Sequence, residues 1–436
     1  MTPEDGVDLT TSRQARRTGG AALDLTAFVR PGDLVVWGQA CSEPRTLTEQ
    51  LLAQAAGIGP LRCFVGIPAE SGVTTASVAA APDLEVLSYC GAGSNAAMHD
   101  AGRLQIVPAH YSDLPAMLTT GSLRADVVLV QVSPPDESGR HSLGLGDDYF
   151  SAAIGTARTV IAEVNDQVPF TFGARTLMAH HCDAMIHTSR PPGMMPTPLF
   201  SDQTTAVARQ VAGLVQDGST LQFGIGALPE AVLDQLGQHR DLGIHSGIIN
   251  DAALRLIEAG AATGERKTRD RGVAIGGLLG GTERLFRFAH RNPRLELRST
   301  AYTHDPEVLG QSHQLVAINA ALEVDLTGQV NSEVAAGRYV GAIGGAVDFL
   351  RGAARSRGGV PVVALPSISK GSSRIVATLS GPVSTPRSED IVVVTEHGVA
   401  DLRGLALEQR IERMLAIADP TVRDDLARAA EQTLAS

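Results

Sequence analysis

A chain of 436 residues exceeds what one ordinary core serves, so two domains are expected, and 43% hydrophobic with 19% charged residues is the composition of a globular protein. A net charge of −11 gives no electrostatic reason to expect nucleic acid or an anionic membrane as partner, so a phosphate-bearing ligand must be held by local amides and a few placed cations. The four cysteines (Cys41, Cys63, Cys90, Cys182) form neither a CxxC pair nor a Cys/His metal spacing, and His180, His181 and Asp183 are too crowded to serve, so no metal is expected. The polar start MTPEDGVDLTTSRQARR lacks the apolar core of a signal peptide, and no apolar run approaches the roughly 20 residues that span a bilayer. The expectation is a cytoplasmic protein with reduced, buried thiols.

In chain order, short apolar runs rich in valine and isoleucine recur: DLVVWG, RCFVGI, DVVLVQV and TVIAEV, then TLQFGIG, LVAINA, VPVVALP and DIVVVTE. Continuous hydrophobicity is what parallel strands covered on both faces require. Helical patterns such as TLTEQLLAQAA and LPEAVLDQLGQH lie between them, which predicts an α/β fold of two open sheets. The segment TSRPPGMMPTPLFSD holds four prolines and a glycine in fifteen residues and reads as an interdomain linker over 189–202, with domains at 1–188 and 203–436. A helix is predicted after it, with Asp202 as N-cap.

Several turns carry chemistry-bearing residues. In VWGQACSEPRTL, Glu43 follows a strand and precedes a helix, so helix stabilisation competes with a role in a cleft. His110 and Asp113 in VPAHYSDLP read as structural. LQFGIGALPEAVLDQL reads as strand, glycine turn and helix; Gly224 and Gly226 permit a sharp turn and the helix amides favour an anion, but GxGxxG is absent, so a nicotinamide cofactor is not expected. GIHSGIIND places His245, Ser246 and Asp251 around a bare Gly247. In YVGAIGGAVDFLRGA, Gly341, Gly344 and Gly345 offer amides to an oxyanion, with a tight turn as the alternative. Lys370 and Arg374 sit in a Gly/Ser-rich loop suited to phosphate or to plain solvent exposure. Glu396 and His397 end a strand as catalytic pairs often do, with a helix cap or an ion pair to Arg403 as competing readings. Neither GxSxG nor a P-loop occurs.

Taken together, SEPRTL, GAGSNAAMHD, VPAHYSDLP, VSPPDESGRHSLG, GIGALPEAV, INAALEVDLTGQVNSE, GAIGGAVDF and VVTEHGVADLRG resemble the acetyl-CoA hydrolase/CoA-transferase family over nearly the whole chain. The resemblance implies two open α/β domains with an active site at their interface, a homodimer, and an acyl-CoA substrate. It places coenzyme A contacts on Phe223, Gly224, Ile225, Gly226, Ala227, Leu322, Gly341, Gly345 and Lys370. Gly345 also falls in the oxyanion site, and Glu396 matches a second active-site glutamate.

Two positions depart from the family pattern. Where the family has a nucleophilic glutamate that forms acyl-glutamyl anhydride and glutamyl thioester, this chain has Gly247; where it usually has asparagine, this chain has His304. Glycine offers no group to acylate. The expectation is therefore water attack on a thioester, or on a C–C bond of a β-keto acyl-CoA, with His245, His304, Glu43 and Glu396 as candidate catalytic residues. A conventional CoA-transferase or acetyl-CoA hydrolase with a substitute carboxylate is the alternative, and a non-catalytic CoA-binding protein the third reading. The stretch 267–299 is a candidate wall of the acyl pocket, although no substrate is legible in it.

Overall fold

A computed structural model describes residues 16–17, 22–173 and 175–434. The chain divides into two compact units, Met1–Met195 with Gly277–Tyr302, and Pro196–Gly276 with Thr303–Ser436.

The sheet of the first unit runs, edge to edge, Arg16–Arg17, Ala184–Thr188, Thr159–Asn165, Val127–Val132, Leu34–Trp37, Leu61–Val65, Leu84–Ser88 and Gln105–Ile106. Every pairing in it is parallel. Its central strands are buried along their whole length, VVLVQV and TVIAEVN among them, which is why their hydrophobicity does not alternate. Helix Arg45–Ile58 buries Leu47, Leu51, Ala55 and Ile58, one face at helical spacing, and Gly59 ends it at φ 104°. Each large apolar side chain so buried contributes about 1.5–3 kcal/mol. The N-terminal amides of this helix are not met by Glu43. Thr46 and Leu47 donate instead to Glu163 Oε2, at 3.0 and 3.1 Å, from strand Thr159–Asn165.

The second unit's sheet runs Gly243–Ile244, Thr220–Phe223, Leu315–Ala320, Val360–Ala364, Val392–Thr395 and Gly398–Asp401. Only the last pairing is antiparallel. Helices Leu407–Ile417 and Ala346–Arg355 pack Met414, Ile411 and Leu350 into its core. Helix Asp202–Ala212 starts one residue earlier than its predicted cap allows: Ser201 is the N-cap, accepting from Thr204 N–H at 3.1 Å, and Asp202 lies in the first turn. A hydroxyl reaches the third amide as readily as a carboxylate, and Asp202 then favours the positive helix end.

The units differ from a single cut in the proline-rich stretch, because 277–302 clusters with the first unit. Backbone bonding accounts for this. Asp147 N–H donates to Gly277 O, Leu279 N–H to Leu145 O, and Leu295–Leu297 pairs in parallel with Phe172–Gly173. Among the described residues no helix is long and apolar enough to cross a membrane.

Candidate active site

The carboxyl ends of the second unit's parallel strands carry most of the residues singled out by sequence, which is where open α/β sheets collect ligands. Strand Thr220–Phe223 leads into Gly224, Ile225 and Gly226, then helix Ala227–Asp234. Gly226 has φ 118°, a region closed to side chains, and a Cβ there would meet nothing within 4 Å among the described residues. Ile225 beside it is 42% exposed. Gly224 N–H is spent on Ile318 O at 2.9 Å. Beneath the turn, Gln222 and Asn319 exchange amide hydrogen bonds at 3.4 and 3.1 Å, both buried.

Strand Gly243–Ile244 delivers His245, Ser246 and Gly247. Ser246 is tied into the sheet end: Oγ donates to Phe223 O at 3.0 Å, and Phe223 N–H donates back at 3.3 Å. His245 is buried with Nε2 3.2 Å from Thr303 O. Lys267, also buried, donates from Nζ to Ile244 O at 3.0 Å and Val273 O at 2.7 Å, clamping the two segments that flank the loop.

His304 is the centre of the arrangement. A Cβ placed on Gly247 would lie 3.2 Å from its Cε1 and 3.4 Å from its Nε2; one on Gly345 would lie 2.6 Å from its Nε2. The imidazole therefore fills the space that two missing side chains leave. Phe349 holds it from another side, with ring centroids 4.4 Å apart. Thr303 Oγ1 lies 2.9 Å from Nδ1. Burial, reinforced by the neighbouring His245, pushes the His304 pKa down to about 3, so the ring is neutral at physiological pH.

Glu396 is brought into a different set of contacts. Its Oε1 accepts from Gln203 Nε2 at 2.6 Å and Ser367 Oγ at 2.7 Å, and Oε2 accepts from Ser367 N–H at 2.9 Å. Burial raises its pKa, but these donors outweigh burial and hold it below the ordinary carboxylate range. The ion pair foreseen with Arg403 does not form, because Arg403 is taken by Asp401 at 2.7 Å. His397 lies 3.6 Å from Asp419 and 3.9 Å from Glu396. Glu43 belongs to the first unit, where it is buried, accepts from Thr48 Oγ1 at 2.9 Å, and is pushed up by burial despite Ser71 and Thr48.

The remaining positions separate by exposure and bonding. Lys370 is exposed at the tip of a hairpin, with φ 51°. The Gly341 amide is not open to an oxyanion: it donates to Glu333 O at 3.0 Å, and a Cβ there would overlap Ser332 O. Leu322 N–H likewise donates to Asn331 O. Gly345, N-cap of helix Ala346–Arg355, is the glycine of that cluster placed against His304. His110, read as a satisfied structural histidine, has a buried Nδ1 lacking a hydrogen-bond partner. Among the described residues there is no group of three or more His, Cys, Asp or Glu arranged to hold a metal ion.

Sequence reasoning missed Thr303, Phe349, Lys267, Gln222 and Asn319. Phe349 was recoverable, since it lies four residues after Gly345 and so shares a helix face with it. Lys267 carried no local signal.

Comparison with known proteins gives a consistent result. Residues 20–189 match the acetyl-CoA hydrolase/transferase N-terminal domain and 281–430 the C-terminal domain. The chain is 38% identical over 331 residues to 4-hydroxybutyrate coenzyme A transferase of Clostridium kluyveri, covering 75% of this chain and 77% of that protein. It is 37% identical over 335 residues to a succinyl-CoA:acetate/propanoyl-CoA:succinate CoA transferase of Fasciola hepatica, covering 76% and 70%. The crystal structure of RipA from Yersinia pestis superposes with a TM-score of 0.89 at 33% identity, over 96% of this chain and 97% of that one.

Proposed function

Because the chain belongs to the acetyl-CoA hydrolase/CoA-transferase family, we propose that it turns over an acyl-CoA thioester by water attack, without a covalent glutamyl intermediate. The observation that carries this is the seat of His304, whose imidazole stands against both Gly247 and Gly345. Position 247 supplies no carboxylate to acylate, and the space beside it holds a neutral hydrogen-bonding ring instead.

A base of pKa about 3 draws a proton from water poorly, so His304 acts as an electrophile. Thr303 Oγ1 lies 2.9 Å from Nδ1; we assign it as the donor, which puts the imidazole proton on Nε2, the atom facing Gly345. Nε2–H then donates to the substrate carbonyl oxygen as negative charge develops there, a task a neutral imidazole performs without surrendering its proton. For the base, the two nominated carboxylates differ. Burial raises the pKa of Glu43, the direction that favours proton abstraction, whereas Glu396 is held down by three donors, with both oxygens engaged. The same engagement makes Glu396 a poor substitute nucleophile. The pantetheine arm and phosphates of coenzyme A are assigned to the turn Phe223–Ala227, with Leu322, Gly341, Gly345 and Lys370 as further contacts. The open Gly226, the exposed Ile225 and the exposed Lys370 ammonium fit that role. The reading includes a homodimer in the cytoplasm.

The test is incubation with a panel of acyl-CoAs, β-keto and cyclic ones included, in oxygen-18 water with and without acetate. Label in the released acid, or in a ring-opened product that retains CoA, supports the reading and distinguishes thioester from C–C hydrolysis. Strictly acetate-dependent acyl exchange overturns it and makes the chain a conventional transferase. As a companion, Gly247→Glu restores the carboxylate; its Cβ alone would stand 3.2 Å from His304 Cε1, so the imidazole must yield to admit it. It is expected to gain a glutamyl-CoA adduct visible by mass spectrometry.

A further inference from the structure

The first unit carries a cavity of about 630 Å³, a size that suits a small organic ligand. It opens where three neighbouring strands, Val127–Val132, Thr159–Asn165 and Ala184–Thr188, release the chain at their carboxyl ends. Pro134, Phe170 and Pro192 come from the three loops that follow. The facing wall is Phe286 and Arg291, at and after helix Glu283–Ala289. This is the stretch 267–299 in which no substrate was legible.

The floor is apolar and stiff: Phe170, Phe286 and Pro192 are buried. Arg291 stands exposed at its rim, held by its backbone. Its backbone is left-handed at φ 52°, a conformation non-glycine residues keep only where their surroundings impose it. Those surroundings are explicit. Arg291 N–H donates to Phe170 O at 2.7 Å, and Phe170 N–H donates to Nδ1 of the preceding His290 at 3.1 Å. The guanidinium carbon sits 5.2 Å from the Phe170 ring centroid. Among the described residues no carboxylate forms an ion pair with Arg291, whereas Arg287 on the same rim is paired to Glu283 at 3.3 Å. The cavity thus offers one guanidinium without an ion pair beside an apolar floor, with Asp166 also on its lining. A neutral apolar ligand would make no use of that guanidinium, and a bare inorganic anion would leave the floor empty.

We propose that this cavity binds a hydrophobic monocarboxylate, its carboxylate on the Arg291 guanidinium and its body against Phe170, Phe286 and Pro192. The site shares no residue with the thioester chemistry proposed above.

The experiment titrates the full chain with naphthalene-2-carboxylate, followed by calorimetry and saturation-transfer NMR. Saturable one-site binding is expected, at least tenfold tighter than for naphthalene-2-carboxamide, weakened at least tenfold by Arg291→Gln, and unchanged by saturating coenzyme A. Absence of saturable binding, equal affinity for acid and amide, or displacement by coenzyme A overturns the proposal. If Arg291→Gln does not fold, the acid–amide comparison on the unaltered protein decides alone.

Discussion

Glu43 and Glu396 both sit on turns that follow a parallel strand, one in each unit, and their surroundings drive them in opposite directions. Burial raises the pKa of each. At Glu43 burial wins, because Ser71, Thr48 and the charge of Arg45 return less than the lost water gave. At Glu396 three strong donors from Gln203 and Ser367 reverse the sign. Charge state in these sites follows from the donors that replace water, not from depth alone.

Replacing each carboxylate with an amide separates the two, and Glu43→Gln gives the largest expected effect. Glu43→Gln should lower kcat by about 10²–10⁴-fold, the usual worth of a general base. It should also remove the acid limb of the pH–rate profile, which in the parent rises through the raised Glu43 pKa. Because the folded state disfavours ionised Glu43, that residue detracts from stability once pH exceeds its unfolded value, so Glu43→Gln should raise Tm at pH 8. Glu396 is the reverse. Its depressed pKa stabilises the fold above the unfolded carboxylate range and loses that contribution as pH falls through the folded value. Glu396→Gln should therefore lower Tm by a few degrees at neutral pH, the loss of about 1 kcal/mol of hydrogen bonding, and cost roughly tenfold or less in kcat. Equal kinetic losses in the two variants would dissolve the distinction.

His304→Ala comes next, at about 10²–10³-fold in kcat, the worth of one donor at a developing oxyanion. Isothermal titration should show coenzyme A affinity within a few fold, since the Phe223–Ala227 turn is untouched. A kcat that titrates with an imidazole near pH 6–7 in the parent enzyme would contradict a ring held neutral by burial.

Gly345→Ala attacks the same atom from the opposite side. Its Cβ would stand 2.6 Å from His304 Nε2, with Phe349 at 3.5 Å blocking retreat, so the imidazole must turn away. A loss near 10²-fold in kcat is expected, approaching that of His304→Ala. Combined with His304→Ala it should cost little more, since both changes remove one interaction.

How much of this was readable beforehand divides along physical lines. Strands such as VVLVQV were legible because full burial writes itself as continuous hydrophobicity. The Gly247 and His304 departures were legible as residues, yet their contact was not: 57 positions separate them, and only the fold brings Nε2 to that spot. The attachment of 277–302 to the first unit was hidden for a related reason, since it rests on backbone pairing with Leu145, Asp147 and Phe172, which any side chains can make. At Gly341 the tight turn prevails over the oxyanion amide, a choice that glycine spacing leaves open because it does not reveal that Glu333 O already holds the N–H.

A comparably small effect belongs to Thr303, and it tests the direction of a single proton. Its hydroxyl lies 2.9 Å from His304 Nδ1, and the donation proposed above leaves the imidazole proton on Nε2. Thr303→Val keeps the shape while removing that donor, so the ring is free to carry its proton on either nitrogen and a fraction of molecules presents a lone pair to the substrate oxygen. A roughly tenfold fall in kcat with KM unchanged is expected, recovered by Thr303→Ser, whose hydroxyl restores the donor without the methyl group. Nitrogen-15 shifts of His304 should move toward a tautomer mixture in the valine variant alone. If they do not move while kcat falls, Thr303 acts through packing, and the polarising proton must be fixed by another group.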